Sequence, residues 1–264
     1  RQYCDSKTET AHGHLKLQKQ HVQSTKPMPT LTPEQQKLKL RSKLLQVELH
    51  VMDSSDDLTN LIAMDTCGRY PITSARGHKY IFVMLDRDLN YVSLHPMKSR
   101  KSSSLVEAFQ ICYKKLTDRG FRATILKLDN EVSKNLIAAI KDQKLSYQLA
   151  SPSDHRTNPA ERAIQDIKAH FISVRKCTHE SFPSNAWDLL LQHTEDTINM
   201  LRPSRINPQL SAYTLLHGHH NFMSQPLAPA GCQVVIHDRP MDRGSWDNRM
   251  TDGFFISQAP NHYR

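Results

Sequence analysis

The sequence predicts an α/β fold in which a mixed sheet, three antiparallel strands and then alternating helices and strands, is flanked by helices. A small β appendage is expected at the C-terminal end. Three observations carry this expectation. Short apolar runs at 61–65, 78–85 and 90–97 follow one another too closely for crossover helices, so they read as an antiparallel meander. From residue 99 onward, segments with helical spacing alternate with short strand-like runs. A last pair of strand-like runs, in GCQVVIHDRP and GFFIS, stands apart around a polar loop.

Taken in order, residues 1–60 are polar and helix-prone, and form an extension or linker. Thr32 and Pro33 make a helix start, and Leu38, Leu40, Leu44, Leu45, Val47 and Leu49 an amphipathic segment, closed by the acidic MDSSDDL. LIAMD is then a strand ending on Asp65. HKYIFVML is the strongest strand, and NYVSLHPM follows it across the turn DRDL. In SRKSSSLVEAFQICYKKLTDRG, Leu105, Ala108, Phe109, Cys112 and Leu116 recur at three and four, so a capped helix runs to Gly120. A strand ends on Asp129, a helix covers 132–141, and SYQLAS is a short strand. NPAERAIQDIKAHFISVRK is a long helix and 185–201 another. A short helix ends at Gly218, and HGHH (217–220) reads as a loop. The expected domains are 1–60, a core at 61–218, and a linker with a partial β domain at 219–264.

The chain has 264 residues, 38% of them hydrophobic, enough for one substantial core with small appendages. No apolar run approaches the roughly 20 residues of a membrane span, and no secretory signal core is present, so a membrane or secreted protein is not expected. Because it starts at Arg1 and stops at Arg264, a piece of a longer polyprotein is expected. The net charge is +9, and 98–127 holds eight basic residues against two acids, Glu107 and Asp118. That stretch is either a solvated face or a surface for a polyanion. The five cysteines are scattered without a C-x-x-C pair, which suits a reducing compartment. His12, His14 and His21 have no cysteine pair at finger spacing.

Asp65 and Asp129 each end an apolar strand, and Glu161 stands near the start of a helix behind the polar loop SPSDHRTNPA. Singly, they read as a turn former, a helix cap and a first-turn charge. Together they form a set of hard oxygen donors suited to two Mg²⁺ or Mn²⁺ ions. No comparable His/Cys set for softer metals accompanies them.

MDTCGRYPITSARGHKYIFVMLD, LKLDNEVSK and SPSDHRTNPAERAIQDIK resemble the integrase core of copia-like long-terminal-repeat retrotransposons, over about 61–218. The resemblance implies a ribonuclease-H-like fold and identifies Asp65, Asp129 and Glu161 as the metal-binding catalytic triad of a D,D-x35-E integrase. It implies two Mg²⁺ (or Mn²⁺) ions, 3′-end processing and strand transfer on DNA, and a homo-oligomer on the element's ends. The expected place of action is the nucleus or a cytoplasmic virus-like particle. Here 31 residues separate Asp129 from Glu161, the second acid stands in DNE, and HRTN precedes the glutamate's helix. The C-terminal segment from GCQVVIHDRP to Arg264 resembles the start of the SH3-like domain found behind such cores.

On the helix bearing Glu161, Gln165 at +4 and Lys168 at +7 share one face, flanked by Arg162. Ala163, Ile164, Ile167, Phe171 and Ile172 are expected on its buried side. Lys168 is the expected phosphate contact and Gln165 a base or sugar contact, with His155 and Arg156 as further DNA-binding candidates. The competing expectation is a decayed or domesticated core that binds nucleic acid without cutting it. A ribonuclease on the same fold is disfavoured by the spacing of the acids and the PAER helix.

Overall fold

The computed structural model describes residues 60–128, 132–149 and 159–259. In chain order these form β1 (Leu61–Thr66), β2 (Tyr80–Asp86), β3 (Tyr91–Met97), α1 (Ser102–Thr117), β4 (Ile125–Leu128), α2 (Lys134–Asp142), β5 (Ser146–Leu149) and α3 (Pro159–Lys176). A 3₁₀ segment (Ser184–Leu190) runs into α4 (Leu191–Leu201), followed by α5 (Ala212–His217), β6 (Gln233–His237) and β7 (Met250–Phe254).

Five strands make one sheet in the order β3-β2-β1-β4-β5. β2 pairs antiparallel with β1 and β3, while β4 pairs parallel with β1 and β5. This is the ribonuclease-H-like mixed sheet flanked by helices that the sequence predicts. β6 and β7 form a separate two-stranded antiparallel sheet.

Both faces of the sheet are covered, which is why β2 is apolar along nearly its whole length. Phe82 and Met84 join Ile62, Met64, Leu126 and Leu128 against Phe109, Cys112 and Leu116 of α1 and Leu136 and Ile140 of α2. Ile81, Val83 and Leu85 point the other way, to Ala163, Ile164, Ile167 and Phe171 of α3 and to Trp187 and Ile198.

The outer edge of β3 is closed by side chains of α4. Glu195 accepts the Leu94 N–H at 2.8 Å, and Asn199 accepts the Val92 N–H at 2.8 Å while donating to the Val92 carbonyl at 2.7 Å. An exposed edge would be open to pairing with another chain; here polar groups of α4 occupy its hydrogen bonds.

Several local expectations need correction. No side chain caps α1, which begins from Lys101 in an extended conformation. Its end follows expectation, with Gly120 in the left-handed region at φ +84°. The helix expected over 132–141 begins only at Lys134, because Ser133 caps it by accepting the Leu136 N–H, and Val132 packs on the core from outside the helix. The single helix expected over 185–201 is a 3₁₀ segment and an α-helix, with a non-helical Ala186 near the start. His217 belongs to α5, not to a loop. Ile172, expected on the buried side of α3, is exposed, because the apolar side narrows to Ile164, Ile167, Phe171 and Val174.

The basic stretch 98–127 is not one polyanion-facing surface. Lys127 is buried within β4, and Lys115 is turned inward to the buried Glu195, both carboxylate oxygens at 2.8 Å. Lys114 pairs with Asp118 on the solvent side of α1 at 2.7 Å. Among the described residues, no helix is long and apolar enough to cross a membrane.

Candidate active site

Strand alternation decides which way the first acid points. Ile62 and Met64 of β1 face α1 and α2, so Ala63 and Asp65 fall on the opposite face, where Cys67 packs into the cluster built on α3. Asp65 lies opposite Val83 of β2, itself in that cluster. The carboxylate is half-buried, and its Oδ1 accepts the N–H of Thr66 at 2.6 Å.

Glu161 lies in the first turn of α3, half-buried, on the helix that covers this same face. An acid there is favoured by the positive end of the helix dipole. Gln165, Lys168 and Arg162 are all exposed on α3, as expected for groups that reach outward.

Cys67 reports on what surrounds the end of β1. Burial pushes its thiol up to about 11, while Lys168 pulls it down, Asp65 pushes it up and Arg100 pulls it down. Lys168 of α3, Arg100 and Asp65 therefore lie within electrostatic reach of one point. The Arg100 guanidinium also approaches the Cys67 carbonyl at 3.5 Å.

The second acid, Asp129, lies outside the described residues, as do His155, Arg156 and the N-terminal histidines. What is described is the strand that leads to it. β1 and β4 run parallel with Ala63 opposite Lys127, and Asp65 and Asp129 each stand two residues further along the chain. The N-cap of α2 is Ser133, so capping that helix does not require Asp129. Among the described residues, no three His, Cys, Asp or Glu side chains gather in a way that could hold a metal ion. Asp65 and Glu161 supply the donor type a hard divalent ion takes, and that chemistry fits Mg²⁺ or Mn²⁺ rather than zinc.

Two residues beside this end were not singled out from the sequence. Arg175 donates from Nη1 to the Tyr70 hydroxyl at 2.8 Å, with its guanidinium 5.8 Å from the ring centre. Glu161, Lys168 and Arg175 are spaced by seven, so they keep nearly one line along α3. That spacing was a usable signal.

No family model matches the chain, and no curated protein matches it. Among solved structures it is similar to the catalytic core domain of BIV integrase, with 13% identity, a TM-score of 0.45, and 60% of this chain and 93% of that one covered. It is also similar to the HTLV-2 integrase catalytic core domain in complex with magnesium, in a trimeric form (18% identity, TM-score 0.45, 61% and 99% covered). A third is a simian T-cell lymphotropic virus intasome in complex with a PP2A regulatory subunit (15% identity, TM-score 0.48, 83% of both chains covered). Identities this low carry no residue role from those proteins to this chain.

Proposed function

We propose that the chain is the catalytic core of an integrase of a copia-like retrotransposon, processing 3′ ends and transferring DNA strands. The observation that carries this reading is the meeting of Asp65 and α3 on one sheet face. Asp65 stands near the end of the central strand there, Glu161 opens the covering helix, and β4, from which the chain leads on to Asp129, runs parallel beside β1.

In this reading Asp65, Asp129 and Glu161 hold two Mg²⁺ or Mn²⁺ ions. Such ions, when bound, polarise a phosphodiester and activate a water or 3′-hydroxyl for in-line attack. The chain's own residues bind and orient the DNA. Lys168, seven residues along α3 from Glu161, holds a backbone phosphate beside the carboxylates, and Gln165 reaches a sugar or base edge between them. Arg162, and in the same reading His155 and Arg156, add cationic and polar contacts to the DNA. In keeping with this reading, the chain works as a homo-oligomer on the element's ends, is released from a polyprotein, and acts in the nucleus or a virus-like particle.

The test is Asp129→Asn on a duplex carrying the element's own terminal sequence, with Mg²⁺ or Mn²⁺. The unmodified chain is expected to release a short 3′ fragment and form joined products, and the variant to do neither while still binding DNA. Equal cleavage by both removes Asp129 from the site. Binding without cleavage by both favours a nucleic-acid-binding remnant, a reading that the altered neighbours DNE and HRTN support.

A further inference from the structure

A cavity of about 650 Å³ opens between the β1–β2 connection and the C-terminal half of α3. It shares Cys67 and Lys168 with the candidate site and extends away from it to Tyr70, Phe171, Ile172 and Trp187. Its size is that of a small-molecule site.

Two properties meet in this cavity. Its walls are aromatic: Tyr70 lies against the buried Trp187 with centroids 4.3 Å apart, and Phe171 meets both edge-on. Its rim is cationic, with Arg69, Lys168, Arg175 and Lys176 against the single acid Glu180. Arg175 is held by its bond to the Tyr70 hydroxyl, which fixes a positive charge beside a ring. Burial raises the Tyr70 hydroxyl above its ordinary range. Flat walls beside one held guanidinium and further exposed cations match a flat, apolar group that carries a phosphate. A paired, stacked base cannot enter such a recess, whereas an unstacked base can, with its phosphate on the rim.

We infer that this cavity is a nucleotide pocket that takes an unpaired base of a DNA strand, its phosphate resting on Lys168 and Arg175. The inference rests on the reading that the chain acts on DNA, and it adds a preference for single-stranded overhangs or frayed ends over fully paired ends. Because Lys168 serves both places, a strand seated here continues toward Asp65.

The experiment compares affinity for a duplex with a short single-stranded overhang and for the same duplex blunt-ended, by fluorescence anisotropy in EDTA. The unmodified chain is expected to favour the overhang by about ten-fold, the order of one stacked base. Ile172→Glu, at an exposed position on the cavity lining, is expected to bring the ratio to about one. The ratio is the readout because an added charge weakens both duplexes alike. Tyr70→Leu, checked for fold by circular dichroism, is expected to do the same. In a Trp246→Phe background Trp187 is the only tryptophan, and its emission should change with the overhang and not with the blunt duplex. A ratio of one in the unmodified chain, or one that survives Ile172→Glu, overturns the pocket. So does a Trp187 response to an acidic tyrosine-containing peptide with none to either DNA. Metal is absent throughout, so loss of the proposed cleavage activity would leave this result standing. A chain that cleaves but shows no overhang preference would sink the pocket alone.

Discussion

Two acids end neighbouring strands, and their surroundings give them different work. Asp65 stays half-buried at the end of β1, on the face covered by α3. Asp86 ends β2, is buried, and accepts the Leu89 N–H at 2.8 Å, which closes the turn into β3. Burial pushes the Asp86 carboxyl up to about 6, with Asp88 pushing the same way and the Leu89 bond opposing. The folded chain therefore holds that proton more tightly than the unfolded one. Its contribution to stability is fully present below about pH 4 and is lost as the pH rises through about 6. Asp86→Asn keeps the acceptor oxygen and removes the charge, so at pH 7 it should stabilise the chain by about 1–3 kcal/mol. Urea melts from pH 4 to 7 should show a falling midpoint in the parent chain and a flatter profile in the variant. Nothing in DRDL alone distinguished this acid from its neighbours Asp65 and Asp88, because burial depends on the strand packed across from it.

At the scale of elements, sequence pattern read the strands well and one helix poorly. A strand covered on both faces is apolar throughout, and 78–85 carries that mark openly. The segment 185–201 keeps helical spacing throughout, yet it breaks near Ala186. The reason lies in distant partners: Trp187 donates to the Ile72 carbonyl at 2.8 Å, and Asp188 takes His78 and Arg76 at 2.6 and 2.8 Å. The same limit applied to α1, where charge was legible and direction was not. Lys114 faces solvent, and its pair with Asp118 is an exposed one. Lys115, one residue on, meets Glu195, which is also the acceptor for Leu94 N–H and the Tyr91 hydroxyl. Burial opposes the Lys115 charge, but Glu195 pulls its ammonium above the ordinary value. Removing Lys115 leaves a buried carboxylate without its cation. Lys115→Ala should cost about 2–4 kcal/mol and Lys114→Ala less than about 0.5, read from urea denaturation of each. Equal costs would mean that Glu195 is served well enough by its other partners.

For the whole molecule, net charge and charge placement make separate claims. A chain at +9 is expected to bind polyanions to some degree whatever its fold. Specific reading of a DNA backbone requires cations on one accessible face, and the fold withdraws Lys115 and Lys127 from any such face. It leaves Lys168 exposed on α3, beside the end of β1. Each phosphate neutralised by a bound cation releases counterions, so the logarithm of affinity falls linearly with the logarithm of salt concentration. Lys168→Ala should make that slope shallower by about one unit. Lys115→Ala, measured at a temperature where it stays folded, should leave the slope unchanged although it costs more stability. The pair of results separates contact from general charge, since both variants remove one positive charge from the same chain. If both variants shift the slope equally, the binding responds to net charge alone, and Lys168 has no privileged phosphate. If the affinity ignores salt altogether, the exposed cations beside Asp65 face something other than a nucleic acid.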